Sequence, residues 1–248
     1  VRISRMCRGF FSLAPSDSRI AEALADAIAR FAGPKQLSVV STLDHDARAL
    51  SSRLLRALAA RTIYPTSQLQ IQSQATDTRG QLQRQAGLRG PIVLIANPID
   101  SANLLIEIKA SAEGRLVFGG PSFGTQQFLA MAGDASEGAV FPILWHPNVN
   151  NAAVSFSRAF RKRYNTEPDY LAAFAFDATA LLIRAIRRSG PNRAGICDAV
   201  RSLSRFNGVS GSITWDPNGR SGKARVILGR IDEGRIRALT DQHQPPVR

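Results

Sequence analysis

The chain is poor in the residues that build metal and redox sites. Among its 248 residues are two cysteines and three histidines. Cys7 and Cys197 stand far apart, with no C-x-x-C pair and no histidine at ligand spacing. Neither a structural zinc nor a dithiol site is therefore supported, and no metal or cofactor is expected. Two cysteines neither require nor exclude an oxidising compartment. His45, His146 and His243 are isolated and read as surface or packing residues. No run approaches the ~18 consecutive apolar residues of a membrane span, which argues against direct membrane insertion. The opening, VRISRMCRGF, has neither an initiator Met nor the apolar core of a signal peptide. It is expected to lie inside a longer chain.

Lysine is scarce as well. Of the 32 basic residues four are Lys and the rest Arg, and the formal net charge is +13. Such a charge invites a nucleic-acid reading, but the basic residues are spread over the whole chain. The densest groups, Arg158-Arg161-Lys162-Arg163 and Arg184-Arg187-Arg188, fall at helical spacing on solvated helix faces. No aromatic residues interleave with them as stacking platforms, and no helix-turn-helix, zinc-finger or RNP-type signature is present. No nucleic-acid partner is expected.

What the chain does contain is alternating strand and helix patterns. Residues 91–110, PIVLIANPIDSANLLIEIKA, open on the apolar run Ile92 to Ala96, which suits a strand buried on both faces. Asn97-Pro98 stops it. Ser101 is a candidate N-cap for a helix with Ala102, Leu105 and Ile108 on its inner stripe. Similar units surround this one: a helix over 20–31 ended by Gly33-Pro34, a strand at 37–41, a helix through 50–58, a strand at 69–73 and a weaker helix at 77–86. Strands at 116–119 and 138–144 follow, with a brief helix at 125–131. Strand and helix alternating with short links specify an α/β fold, a doubly wound parallel sheet. In such sheets ligands gather at the carboxyl ends of strands, so the loop from Asn97 to Asp100 is a candidate site.

After residue 147 the pattern changes. Residues 150–164, 170–189 and 194–203 read as three successive helices with no sheet of their own to cover. Residues 211–215 and 224–231, joined through Asp216-Pro217-Asn218-Gly219, read as a hairpin-like pair. The tail, 241–248, reads as disordered.

Two constellations carry functional readings. Gly120-Pro121-Ser122-Phe123-Gly124 fits the G-x-S-x-G nucleophile elbow between a strand and a helix, with Asp216 or Asp232 and then His243 in hydrolase order. Against a serine hydrolase, His243 sits in a polar, Pro-rich tail, and no HGGG-like loop offers an oxyanion hole.

The second constellation is spread along the chain. Phe11-Ser12-Leu13-Ala14-Pro15-Ser16-Asp17 precedes an Ala-rich helix. Ala132-Gly133-Asp134-Ala135-Ser136-Glu137-Gly138 resembles an AG-x-A-x-EG turn. Residues 164–173, YNTEPDYLAA, with Phe176-Asp177-Ala178, resemble Y-x-x-P-x-x-YAA-x-AYDA. Residues 206–211 and 213–220 resemble a closing G-x-x-G-x-[IL]-x-[FW]-D-x-x-G segment. In this order they resemble the type I periplasmic binding proteins, nearest the branched-chain amino-acid and amide binders of ABC importers.

The resemblance implies a non-enzymatic, extracytoplasmic domain that captures a small polar ligand between two lobes. It would deliver that ligand to an ABC permease or report it to a sensor module. It also implies the second lobe over 11–145, helices of an incomplete first lobe over 146–210, and closing strands over 211–240, with the N-terminal lobe missing. Ligand contacts are implied at the carboxyl ends of successive strands, near Asp46, near Pro98 and near Ser122. With their neighbours the candidate set is Asp46, Asn97, Pro98, Ile99, Ser122 and Phe123. The leucine-type binders generally carry Tyr, Tyr and Glu at the three positions. This chain departs at all of them, and only Asp46 offers a carboxylate for a cation or ammonium group.

Overall fold

Apolar runs buried on both faces organise the larger of two compact units. The computed structural model describes residues 9–32, 36–73, 80, 82, 88–111, 114–221 and 226–239. By compactness the chain divides into one unit of Asp17–Ile143 with Val226–Arg248, and another of Val1–Ser16 with Leu144–Arg225.

In the first unit β1 (Ser38–Thr42), β3 (Ile92–Ile95), β4 (Val117–Gly119) and β5 (Val140–Ile143) are buried at every position. β2 (Ser67–Ile71) alternates in exposure and lies at one edge. The seven-stranded order is β2-β1-β3-β4-β5-β8-β9, where β8 is Ile227–Asp232 and β9 is Arg235–Ala238. Pairing is parallel from β2 through β5, with Ser38 opposite both Ser67 and Ile92. β8 and β9 then add an antiparallel edge.

Helices cover both faces of this sheet. α3 (Pro98–Ser111) and α4 (Gln126–Ala132) pack on the face that presents Val40, Ile92, Leu94 and Phe141. The period of two along a strand sends Val39, Val93 and Ile95, equally buried, to the opposite face. α1 (Asp17–Phe31) and α2 (His45–Ala59) bury Leu24, Ile28, Leu54 and Leu58 there. The expected doubly wound α/β sheet is thus the fold of this unit. Of the expected sequence features, Cys7, Gly33-Pro34, most of the helix at 77–86, His243 and the 241–248 tail lie outside the described residues.

One local expectation is corrected. Ser101 is not the cap of α3, which begins three residues earlier at Pro98. Proline is well suited to the first helical position, since its missing N–H would have had no partner there. Asn97 takes the capping role, its Oδ1 accepting from Asp100 N at 3.0 Å.

The turn around Glu137 also acquires a physical meaning. Its carboxylate accepts the amides of Glu233 and Gly234, pinning the β8–β9 turn where both residues have positive φ.

The other unit holds α5 (Asn151–Tyr164), α6 (Tyr170–Ser189), α7 (Arg193–Arg201) and a small antiparallel ribbon of β6 (Phe206–Gly208) and β7 (Gly211–Ile213). Leu181, Ala185, Val200, Phe206 and Ile213 form one cluster; Trp145, Ala153, Ala173 and Val209 form a second. The hairpin expected between 211–215 and 224–231 does not form. β7 pairs with β6, and β8 pairs with β5 and β9. The turn itself survives as an isolated Trp215–Ser221 bridge, closed by Asp216 Oδ1 accepting from Asn218 N and Arg220 N.

The β6–β7 turn is held by three other elements. Trp145 Nε1 donates to Val209 O at 2.9 Å, and Asn150 Nδ2 donates to Gly208 O at 3.0 Å. The buried Asp177 accepts from Val209 N, Ser210 N and Ser210 Oγ. This is the work of the aspartate in the Phe176-Asp177-Ala178 motif.

Candidate functional site

The parallel strands β1, β3 and β4 are neighbours and end on the same edge of the sheet. At about 4.8 Å per strand, the first and third of these ends lie roughly 10 Å apart, a span suited to a small molecule. Each end leads into a loop whose backbone is fixed by its own side chains.

After β1, Asp44 caps α2. Its Oδ1 accepts from Ala47 N at 2.9 Å and its Oδ2 accepts from Thr42 Oγ1. Burial pushes this carboxyl upward, but the bond from Thr42 and those from the backbone amides at the helix start, Ala47 among them, together outweigh it and hold Asp44 below its ordinary value. Asp46, in the first turn of α2, is exposed and makes no ion pair with another described residue. Leu43 and His45 beside it are exposed as well.

After β3, a polar network anchors the start of α3. Asn97 Nδ2 donates to Asp100 Oδ2 at 2.7 Å and to Ser73 Oγ at 3.2 Å, while Ser73 Oγ donates to Asp100 Oδ2 at 2.6 Å. Asp100 is buried beneath this network. Pro98 is half-buried and Ile99 exposed, so the loop offers solvent an apolar surface on a rigid polar base.

After β4, Pro121–Gly124 forms a 3-10 turn rather than a nucleophile elbow. Ser122 is not among the residues of positive φ, whereas an elbow sets its serine on a sharp, strained turn with an exposed Oγ. Its hydroxyl is buried, 3.0 Å from Ser101 Oγ. Ser101 in turn donates to Ala96 O at 3.1 Å. Because each hydroxyl has one proton, Ser122 is the donor of the pair, and among the described residues no base stands beside its oxygen. Pro121–Gly124 thus lacks the strained strand-to-helix turn and exposed hydroxyl of a nucleophile elbow.

Phe123 is corrected too. It is fully buried, stacked on Phe128 at 4.1 Å between ring centroids and close to Phe141. Its ring also occupies the space where a side chain at position 119 would begin, so Gly119 has to be glycine. The ring of Phe123 is therefore part of the core and is not presented to solvent at the edge.

The structure therefore brings the loops of Asp46, Asn97–Ile99 and Ser122 onto three adjacent strand ends, and leaves Asp46, Pro98 and Ile99 facing solvent. Ser73 was not anticipated, and Asp100 was expected only as the end of the Asn97–Asp100 loop, not as its buried anchor. Asp100 follows an Asn-Pro turn, a legible sign of local capping, but nothing near Ser73 marks it as its partner.

Residues 5–235 match the family model described as periplasmic binding protein. No curated protein sequence matches the chain. Among solved structures, the leucine-binding protein LivK of Thermotoga maritima aligns with a TM-score of 0.86 at 21% identity, over 96% of this chain and 69% of that one. The solute-binding protein of an ABC transporter from R. palustris, solved with benzoate, gives 0.85 at 20% identity, over 96% and 67%. The branched-chain amino-acid transporter substrate-binding protein LivJ of Streptococcus pneumoniae, solved with isoleucine, gives 0.83 at 18% identity, over 94% and 67%. At such identities the likeness establishes the fold, and the match along most of the sequence establishes membership: the chain belongs to the periplasmic binding protein family.

Proposed function

We propose that this chain is a non-catalytic binding domain that captures a small molecule with an amine or other cationic group beside an apolar part. It presents that ligand, in an extracytoplasmic compartment, to an ABC permease. The family match supports binding as the activity. The chemistry of the ligand is carried by one observation: an exposed Asp46 carboxylate, without an ion pair among the described residues, on the same sheet edge as the apolar Pro98 and Ile99. A carboxylate held on a helix stem is a directional partner for an ammonium group. Solved relatives hold isoleucine and benzoate, molecules of the size this edge can span.

The test is a calorimetric and thermal-shift screen of the purified chain against free amino acids, their amides, polyamines and aromatic carboxylates. An amine-bearing member of the panel is expected to bind and raise the melting temperature. Asp46→Asn is expected to weaken it about tenfold, the size of a lost charge-assisted bond. Binding confined to carboxylates that lack an amine, and indifferent to Asp46→Asn, would sink the ligand assignment while leaving the binding role in place.

A further inference from the structure

Distance in the sequence hides a nearness between Cys7 and Cys197. Residues 9–13 belong to the helical unit and are fastened to it by described contacts. Ser12 N donates to Gly219 O, and Ser221 N donates to Ser12 O, each at 2.8 Å. Phe11 stands 5.2 Å from Trp215 between ring centroids and lies under the Arg201 guanidinium, 5.3 Å away. Phe11 and Leu13 pack against the cluster of Leu181, Val200 and Phe206, where Ile196 of α7 joins them.

Just before these anchors the chain passes against the Cys197 sulfur. A side-chain carbon at position 9 would begin 2.9 Å from Cys197 Sγ, so a glycine is what admits so close an approach. Allowing ~1.5 Å for the absent Cα–Cβ bond, Gly9 Cα is within ~4.5 Å of the sulfur. Cys7 precedes Gly9 by two residues, and two trans peptide units span at most ~7 Å. A disulfide needs ~4.4–6.8 Å between Cα atoms, and these lengths close with Gly9 and α7 left where they stand. Cys197 itself is a half-buried free thiol on a helix, available to a partner that approaches along this segment.

We propose that Cys7 and Cys197 form a disulfide that staples the N-terminal segment to α7. The helical unit divides its core between two small clusters, and Phe11 and Leu13 complete one of them. Small cores are where a covalent tie adds most. The bond forms by two thiol–disulfide exchanges with an oxidised carrier, glutathione disulfide or a dithiol oxidoreductase. One cysteine thiolate attacks the carrier disulfide, giving a mixed disulfide and one carrier thiol. The other thiolate attacks the protein-side sulfur, forming the S–S bond and expelling the second carrier thiol. Two protein thiols thus lose two electrons, the carrier disulfide gains them, and both protons leave on the carrier thiols. Formation in the cell rests on the extracytoplasmic placement proposed above, where such carriers stay oxidised; the geometry does not rest on it.

The test uses the whole chain, reduced, then equilibrated while folded in an oxidising glutathione buffer. Remaining thiols are alkylated and the monomer is digested with trypsin without reductant. Met6-Cys7-Arg8 is expected to be joined to Ala194–Arg201. Reduction is expected to lower the melting temperature of the wild-type chain by about 5–10 °C. It should leave that of Cys7→Ser unmoved, a variant in which the sequence of α7 is unaltered. Two alkylated cysteines, or two that carry glutathione separately, would overturn the proposal. So would a link that appears only when urea opens the fold. Because the buffer supplies the oxidant, such a failure counts against the contact and leaves the ligand binding and the compartment proposed above standing.

Discussion

Ser122 Oγ lies 3.0 Å from Ser101 Oγ, in a buried contact that joins the β4 end to the first turn of α3. The pair ties two adjacent strand ends together beneath the candidate site. It spends the only proton of Ser122 on another hydroxyl, so the serine braces the edge and is not poised to attack. Ser122→Ala is therefore expected to cost about 1 kcal/mol of stability, the worth of one neutral hydrogen bond, in urea denaturation. The wild-type chain should not react with serine-directed phosphonates. Labelling that disappears in Ser122→Ala would reverse this assignment.

The Asn97–Asp100–Ser73 network predicts a larger effect. Asp100→Ala removes the acceptor shared by Asn97 Nδ2 and Ser73 Oγ; the Ser73 hydroxyl loses its acceptor and Asn97 Nδ2 keeps only its 3.2 Å bond to Ser73. Unsatisfied buried polar groups cost ~1–3 kcal/mol each. Asn97→Ala removes the cap of α3 as well as one of these donors, and caps alone are worth about 1 kcal/mol. Both variants are expected to lower the urea midpoint, with Asp100→Ala the more severe. A neutral Asp100→Ala would mean that water replaces the network without loss.

Much of this fold is legible in the chain because its strands announce themselves. Residues 38–42, 92–95 and 140–143 are apolar or small runs bounded by breakers, and sheets covered on both faces demand that pattern. Legibility fails where the partner is distant in sequence. Phe206-Asn207-Gly208 is too short to read as a strand, so Gly211–Ile213 was given to the next strand along the chain. Phe123 stands beside a serine in a motif that points outward in hydrolases; only the stack with Phe128 and Phe141 shows that it points inward. Asp46 was legible as an acid in a strand-end loop, whereas Ser73 joins Asp100 from another strand end, a contact no local pattern encodes.

In the helical unit, Gly208 predicts sensitivity of a different kind. A side chain at position 208 would collide with the Asp177 carboxylate, which is committed to the amides of Val209 and Ser210. Gly208→Ala must displace that carboxylate and forfeit part of its bonding, at about 2–3 kcal/mol. Asp177→Asn keeps the shape but turns an NH2 group toward a backbone N–H, with a loss of similar size. Hydrogen exchange should report the damage in 145–213 and leave the β1–β5 sheet protected. Uniform loss across the chain would show that the two units unfold together.

Asp44 predicts the acid limb of stability. Against the upward push of burial, the bonds from Thr42 and the backbone amides at the helix start together depress its folded pKa below the usual 3.8. Its contribution is then fully present above that ordinary value and is lost as pH falls through the depressed one. Asp44→Asn should lower stability at neutral pH and shrink the further loss between about pH 4 and pH 2. Parallel acid curves for variant and wild type would assign the acid limb to other carboxylates.

Tyr170 predicts the alkaline limb. Burial, reinforced by the charge of Asp169, pushes its phenol from 10.0 up to about 12. Tyrosine is neutral when protonated, so a raised pKa disfavours the folded phenolate. In the unfolded chain the phenol ionises at about 10, and from there upward unfolding gains a deprotonation that the native state resists. The native state should lose stability between pH 10 and 12, by about 2 kcal/mol in all, from this residue. Tyr170→Phe keeps the ring beside Phe174, where the centroids stand 6.1 Å apart, and removes the ionisable oxygen. Chemical denaturation of both proteins across this range is the measurement. The phenylalanine variant should hold its stability where the wild type declines. A decline of equal slope in both would place the alkaline sensitivity elsewhere.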